Sequence, residues 1–198
     1  GAKGVGCGKW HGCLVYERFG AAICGLQSEQ QRWRRLAASL NLRGDEKILD
    51  VGTAVGDLPL SLATIKNFQG QVIGVDWSAR MIAQATAAAQ QRNLSHQVQF
   101  QVVDIRQGLP FSDNSFDVLF CLGLIETWPH PQKILAELHR VLTPNGLMVL
   151  SLYKGTAAAL AAVGFTWYQE QLGALGCTNL EIRPCRSNQD VVVARFSP

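Results

Sequence analysis

The chain has 198 residues, 47% of them hydrophobic and 17% charged, with eighteen Lys and Arg against fifteen Asp and Glu for a net charge of +3. This composition excludes a disordered or fibrous chain, and the length suits one domain with a full core. No apolar run approaches the roughly 18 residues of a membrane span and no basic-then-apolar start marks a leader, so a soluble, cytoplasmic globular protein is expected.

Residues 1–27 read as a flexible N-terminal arm: Gly-rich, without a period, and carrying Cys7, Cys13 and Cys24. The run from Gly4 to Trp10 is no phosphate loop, because Lys9 is not followed by Ser or Thr and the glycine spacing is wrong. Residues 28–198 then read as one domain. Trp33, Leu36, Ala37 and Leu40 recur at helical spacing, and Asn41 to Gly44 close that helix. From Lys47 short apolar runs alternate with helical stretches. Strands are predicted at 47–51, 71–75, 98–103, 116–122 and 146–152, and helices at 57–66, 78–92 and 132–142. Runs so continuous in Val, Ile, Leu and Phe are buried on both faces, as in a doubly wound, Rossmann-like parallel sheet with helices on both sides. Thr166 and Gln169 form a capping box before a short helix that Gly176 ends, and a hairpin of strands 179–182 and 191–196 follows.

Two function classes weaken at once. Arg32, Arg34 and Arg35 around Trp33 are the only tight basic cluster, so there is no strong nucleic-acid signal. Six cysteines form no C-x-x-C and no zinc spacing, which reads as free thiols in a reducing compartment with no metal site.

In an open parallel sheet the ligand sits beyond the carboxyl ends of the strands. There the sequence places Asp50-Val51-Gly52-Thr53-Ala54-Val55-Gly56-Asp57, then Asp76, then Asp104. The glycines allow close backbone approach, Asp76 is placed for the two hydroxyls of a ribose, and Asp104 for an adenine amino group. Each acid alone is as well explained as a helix cap or a solvated loop residue. Together they spell an adenosine cofactor. A carboxylate two residues before the first glycine sits badly beside a pyrophosphate and suits a cationic amino group, which favours S-adenosyl-L-methionine over NAD.

At this point the sequence resembles the class I S-adenosylmethionine-dependent methyltransferases, from about Trp33 to Tyr153. It is most similar to the branch containing the ubiquinone and menaquinone biosynthesis methyltransferases. The resemblance is carried by Ile48 to Gly52 with Gly56-Asp57-Leu58, by Val72 to Asp76, by Leu109-Pro110-Phe111-Ser112-Asp113-Asn114-Ser115-Phe116-Asp117, and by Glu137 to Gly146. It implies a seven-stranded sheet whose last strand is antiparallel. It also implies that Asp50, Gly52, Thr53 and Gly56 line the methionine moiety, Asp76 the ribose, and Trp77 and Met81 the adenine. Asp104 with Ile105 would meet the adenine edge, and Cys121, Leu122 and Gly123 would lie beside the sulfonium. Two positions depart from the family pattern. Ala54 stands for its middle glycine, tolerable if the backbone φ is negative, and Asn145 stands for a glycine that takes a left-handed conformation.

Methyl transfer from a sulfonium is an in-line displacement, so alignment and exclusion of water are most of what the enzyme supplies. A base is needed only for a protonated nucleophile. The candidates lie after the fourth strand: His130 and Glu126, with Trp128 to stack on the acceptor. Their plain alternatives are a rigid turn residue, a solvated acid and a core cap. His139 reads as structural and His96 as a loop residue. Neither an Asp/Asn-Pro-Pro-aromatic run after the fourth strand nor a Pro-Cys in its vicinity points to DNA methylation. Substrate elements are thin: Tyr16-Glu17-Arg18 and the alanine-rich stretch 155–164. The acceptor expected is small or lipid-like, with a homodimer as one way to complete the site. The alternatives are a non-catalytic methyltransferase-fold subunit and an NAD-dependent oxidoreductase.

Overall fold

The computed structural model describes residues 27–154, 163–185 and 189–197. The N-terminal arm with its three cysteines, Tyr16 to Arg18 and most of the alanine-rich stretch lie outside the described residues.

Seven strands form one sheet: β1 (Lys47–Val51), β2 (Gln71–Asp76), β3 (Val98–Val102), β4 (Phe116–Cys121), β5 (Leu142–Tyr153), β6 (Cys177–Pro184) and β7 (Gln189–Phe196). Their spatial order is β3-β2-β1-β4-β5-β7-β6. β1 to β5 run parallel, and β7 is antiparallel to both β5 and β6. The expected seven strands and antiparallel last strand are thus borne out. Neighbouring residues in the central strands point to opposite faces. Ile48, Val118 and Val149 pack with Trp33 and Leu36 of α1 (Gln27–Ser39), with Leu40 just past its end, and with Leu58 and Leu62 of α2 (Asp57–Leu62). Leu49, Leu119 and Met148 pack with Ile134, Leu135 and Leu138 of α4 (Pro131–Val141) and Tyr168 and Leu172 of α5 (Phe165–Ala174). α3 (Ala79–Gln91) lies along β2 and β3. Burial on both faces is why these strands read as continuous apolar runs rather than as alternation.

Three local expectations change. α2 stops at Leu62 rather than at residue 66, where Ser61 Oγ and Thr64 Oγ1 donate to the carbonyls of Asp57 and Ser61 and compete with the helical ladder. The capping box does not form: α5 begins at Phe165, capped by the extended Gly164 without a side-chain bond. Phe165 packs against the core, which draws the helix start ahead of Thr166. Asn145 is not left-handed but part of β5, in the stretch where pairing with β4 jumps from Phe116↔Leu142 to Val118↔Leu147 and extra residues bulge out.

The two runs most specific to the resemblance meet each other. Arg140 of α4 donates to the carbonyls of Leu109 and Phe111 at 3.0 and 2.9 Å, to Asp113 at 2.7 Å, and to Glu137 at 2.7 and 2.9 Å. Glu137 in turn accepts the Leu109 amide at 2.7 Å. This lock anchors the segment between β3 and β4 and leaves the carboxyl ends of the strands to form the cleft.

Candidate cofactor and acceptor site

The order of strands reverses at β1, which has β2 on one side and β4 on the other, so the crevice lies where the chain leaves β1 and β4. Asp50 in β1 is only 4% exposed. Burial pushes its carboxyl up to about 7, with the Thr53 hydroxyl pulling down and the charge of Asp76 adding to the rise. The buried Thr53 hydroxyl lies near Asp50 without reaching hydrogen-bond geometry.

The turn after β1 is strapped to the end of β2. Gly52 N and Thr53 N both donate to the Val75 carbonyl, at 2.9 and 3.0 Å. Ala54 N donates to Asp76 Oδ2 at 3.0 Å, and Ser78 N to Asp76 Oδ1 at 2.9 Å. The ribose candidate is therefore oriented by the glycine turn itself. Gly52 (φ 83), Ala54 (φ 51) and Gly56 (φ 80) are all left-handed. Ala54 thus fails the condition under which its methyl is harmless. Gly56 is required twice over, since a Cβ there would stand 2.4 Å from the Phe100 ring.

Trp77 is 44% exposed beside Asp76, whereas Met81 is buried in α3 and can only back that surface. Asp104 caps the short turn Ile105–Gln107, and both its oxygens are held by Arg106, at 2.6 to 2.9 Å from the guanidinium. That pairing lowers its proton affinity. Ile105 is buried behind it, and a depression of about 340 Å³ lined by Val102, Asp104, Gln107 and Leu109 opens alongside.

On the other side, Cys121 ends β4 fully buried, with Leu122 and Gly123 half-buried and Gly123 at φ 76. Leu124 bends back over the turn: its side chain lies 3.6 Å from where a Cβ on Gly52 would stand. Glu126 is buried, and neither carboxyl oxygen has a hydrogen-bond partner. Trp128 packs against the core. His130 is exposed and occupies the N-terminal cap position of α4 without a side-chain bond. The structure therefore gathers Asp50, Gly52, Asp76, Cys121 and Glu126 around the carboxyl ends of β1, β2 and β4 and leaves His130 at the surface.

Sequence reasoning missed Leu124, Arg106 and a second layer beneath the crevice. Ser151 Oγ accepts the Gly123 amide at 2.7 Å, and Tyr168 donates to the Ser151 carbonyl at 3.0 Å. A lone serine inside an otherwise apolar strand was the available signal. Among the described residues Cys121 and Cys177 are free thiols, and no helix is long and apolar enough to cross a membrane.

The fold is a doubly wound α/β domain whose strand order switches between β1 and β4. Residues 42–182, well over half the chain, match the methyltransferase domain family, and the chain belongs to that family. A demethylmenaquinone methyltransferase of Thermus thermophilus is 35% identical over 147 residues, 73% of this chain and 65% of that protein. A phosphatidylethanolamine N-methyltransferase of Cereibacter sphaeroides is 31% identical over 141 residues, 70% of this chain and 66% of that protein. The chain thus spans about two thirds of the length of these relatives. An S-adenosylmethionine-dependent methyltransferase structure from Aquifex aeolicus superposes with a TM-score of 0.71, covering 83% of this chain and 89% of that one at 20% identity, which shows the shared fold.

Proposed function

We propose that this chain transfers a methyl group from S-adenosyl-L-methionine to a small or lipophilic acceptor of the quinone-precursor type. The observation that carries the reading is the strap of the glycine turn onto Asp76, which prepares a carboxylate for two vicinal hydroxyls before any ligand arrives. The donor, when bound, supplies a methyl group already activated on a sulfonium.

The residues present fit such a ligand. Asp50 offers a buried acid for its cationic amino end, and Gly52, Thr53 and Gly56 offer close backbone. Asp76 accepts the ribose hydroxyls and Trp77 covers the adenine. Asp104, with Ile105, reaches an adenine amino group only by sharing its carboxylate with Arg106. Cys121 and Leu122 wall the reacting end, and Leu124 over Gly52 narrows it against water. Holding the nucleophile in line there is worth several kcal/mol of barrier, on the order of what well-oriented reactions gain. Of the two base candidates, buried Glu126 lies near Cys121 and is assigned the proton. Exposed His130 is assigned the cap of α4.

A calorimetric titration with S-adenosylmethionine and S-adenosylhomocysteine, with NADH as control, tests the reading. Binding of both adenosyl ligands near micromolar is expected, with Asp76→Ala weakening it by about tenfold or more through loss of charge-assisted hydrogen bonds. A folded protein that binds neither, or that prefers NADH, would sink it. The family match and the buried acid at the crevice speak for an enzyme over a non-catalytic subunit.

A further inference from the structure

Glu126 sits in the single turn Ile125–Thr127 at 5% exposure, with both carboxyl oxygens buried and unpartnered. An isolated carboxylate in such a place costs several kcal/mol, roughly, unless it is paired or neutral. Burial raises its hold on a proton, while the nearby Ser151 hydroxyl works the other way. From β4 it faces Cys121, whose thiol is pushed well up by burial and then by Glu126 and Asp50. From α5 it faces Tyr168, pushed up by burial, Glu126, Cys121 and Tyr153. Asp50 in turn faces Asp76. Cys121 thus feels the charge of two buried acids, Glu126 and Asp50, and among the described residues no Lys, Arg or His shifts the titration of either acid. Leu124 pins the Glu126 turn against the glycine turn. Among the described residues these acids are offset by no cation, so their surroundings suit a positively charged ligand.

Resting on the methyl-donor reading above, we propose that Glu126 carries a proton in the donor-free protein and gives it up when a sulfonium is bound beside Cys121. The base is then created only when the methyl donor is in place. The charges balance at every stage. Before binding, the carboxyl is neutral. With the donor bound, the carboxylate offsets the sulfonium, and the proton has gone to solvent. On transfer, the carbon–sulfur bond breaks with its electron pair going to sulfur, and the acceptor's lone or π pair forms the new bond to the methyl carbon. The acceptor's proton passes to the Glu126 carboxylate, and the sulfide leaves a neutral site. The same logic makes Glu126 a residue that distinguishes the charged donor from the uncharged product.

Proton inventories decide this. Binding of S-adenosylmethionine and of S-adenosylhomocysteine is measured calorimetrically in buffers of different ionisation enthalpy near pH 7. The two ligands share the amino, carboxylate and adenosine groups and differ by one charge. We expect the wild type to release more protons with the sulfonium than with the sulfide, by up to about one. The isosteric Glu126→Gln variant, checked for folding by circular dichroism, is expected to lose that excess. Equal release for the two ligands in the wild type overturns the proposal without needing the variant. An excess that survives Glu126→Gln also overturns it and moves the proton to Asp50. Failure of either ligand to bind folded wild type removes the donor reading as well, and so is distinguishable from binding without excess release.

Discussion

Ala54 is the most informative single residue of the turn. An L-residue in the left-handed region costs roughly 1 kcal/mol or more, and its amide is held there by Asp76 Oδ2. Ala54→Gly keeps that hydrogen bond and removes the strain. We expect about 1 kcal/mol of added stability, a rise in Tm of roughly 2–4 °C for a domain of this size, and donor affinity unchanged or up to severalfold tighter. A lower Tm would show that the methyl group packs usefully, and would end the strain argument. Asp50 yields a pH prediction. Its carboxyl holds a proton up to about 7 in the fold, against roughly 3.9 in an unfolded chain. The folded state therefore binds more protons between those values, and stability present at low pH is lost as pH rises from about 4 to about 7. Asp50→Asn removes that slope. Thermal melts of the two proteins across this range should converge toward acid and diverge toward neutral pH, with the variant the more stable there.

At the scale of elements, the Arg140 lock joins α4 to the segment before β4. Its two carbonyl bonds and the Glu137 pair are half-buried, whereas Asp113 is largely exposed and contributes little. Arg140→Ala is expected to cost about 1.5–3 kcal/mol in urea unfolding, and Asp113→Ala less than about 0.5 kcal/mol. Arg140→Lys should recover only part of the loss, because a point ammonium cannot serve two carbonyls and a carboxylate in the planar fork that Arg presents. Full recovery by lysine would reduce the lock to a simple charge pair. Both halves of the lock were legible as separate runs, Leu109 to Asp117 and Glu137 to Gly146, yet nothing in their sequence spacing says that one guanidinium joins them. The expected capping box that does not form belongs here too: Thr166 and Gln169 satisfy the local rule, and the packing of Phe165 overrides it.

Over the whole molecule, the site is a product of strand order. Asp50 lies opposite Gly74 on β2 and Phe120 on β4, so residues far apart in the chain become walls of one crevice. Gly74 permits this: a Cβ there would stand 2.7 Å from Thr53 Oγ1 and 2.6 Å from the Phe100 ring. The five parallel strands, the helices between them and the three acids at strand ends were all readable from Val/Ile/Leu runs, helical periodicity and residue spacing. Those signals arise from burial on two faces and from local backbone preference, which neighbouring residues set. What needed the tertiary structure was the state of the groups. Along the chain His130 was the stronger base candidate and Glu126 the weaker, and the packing of the turn after β4 buries Glu126 and exposes His130. The φ of Ala54 follows from its amide reaching across to Asp76, and the proton affinity of Asp50 from the removal of water around it. Pattern is local and survives in one dimension. Solvation, strain and charge depend on what the fold brings within a few ångströms.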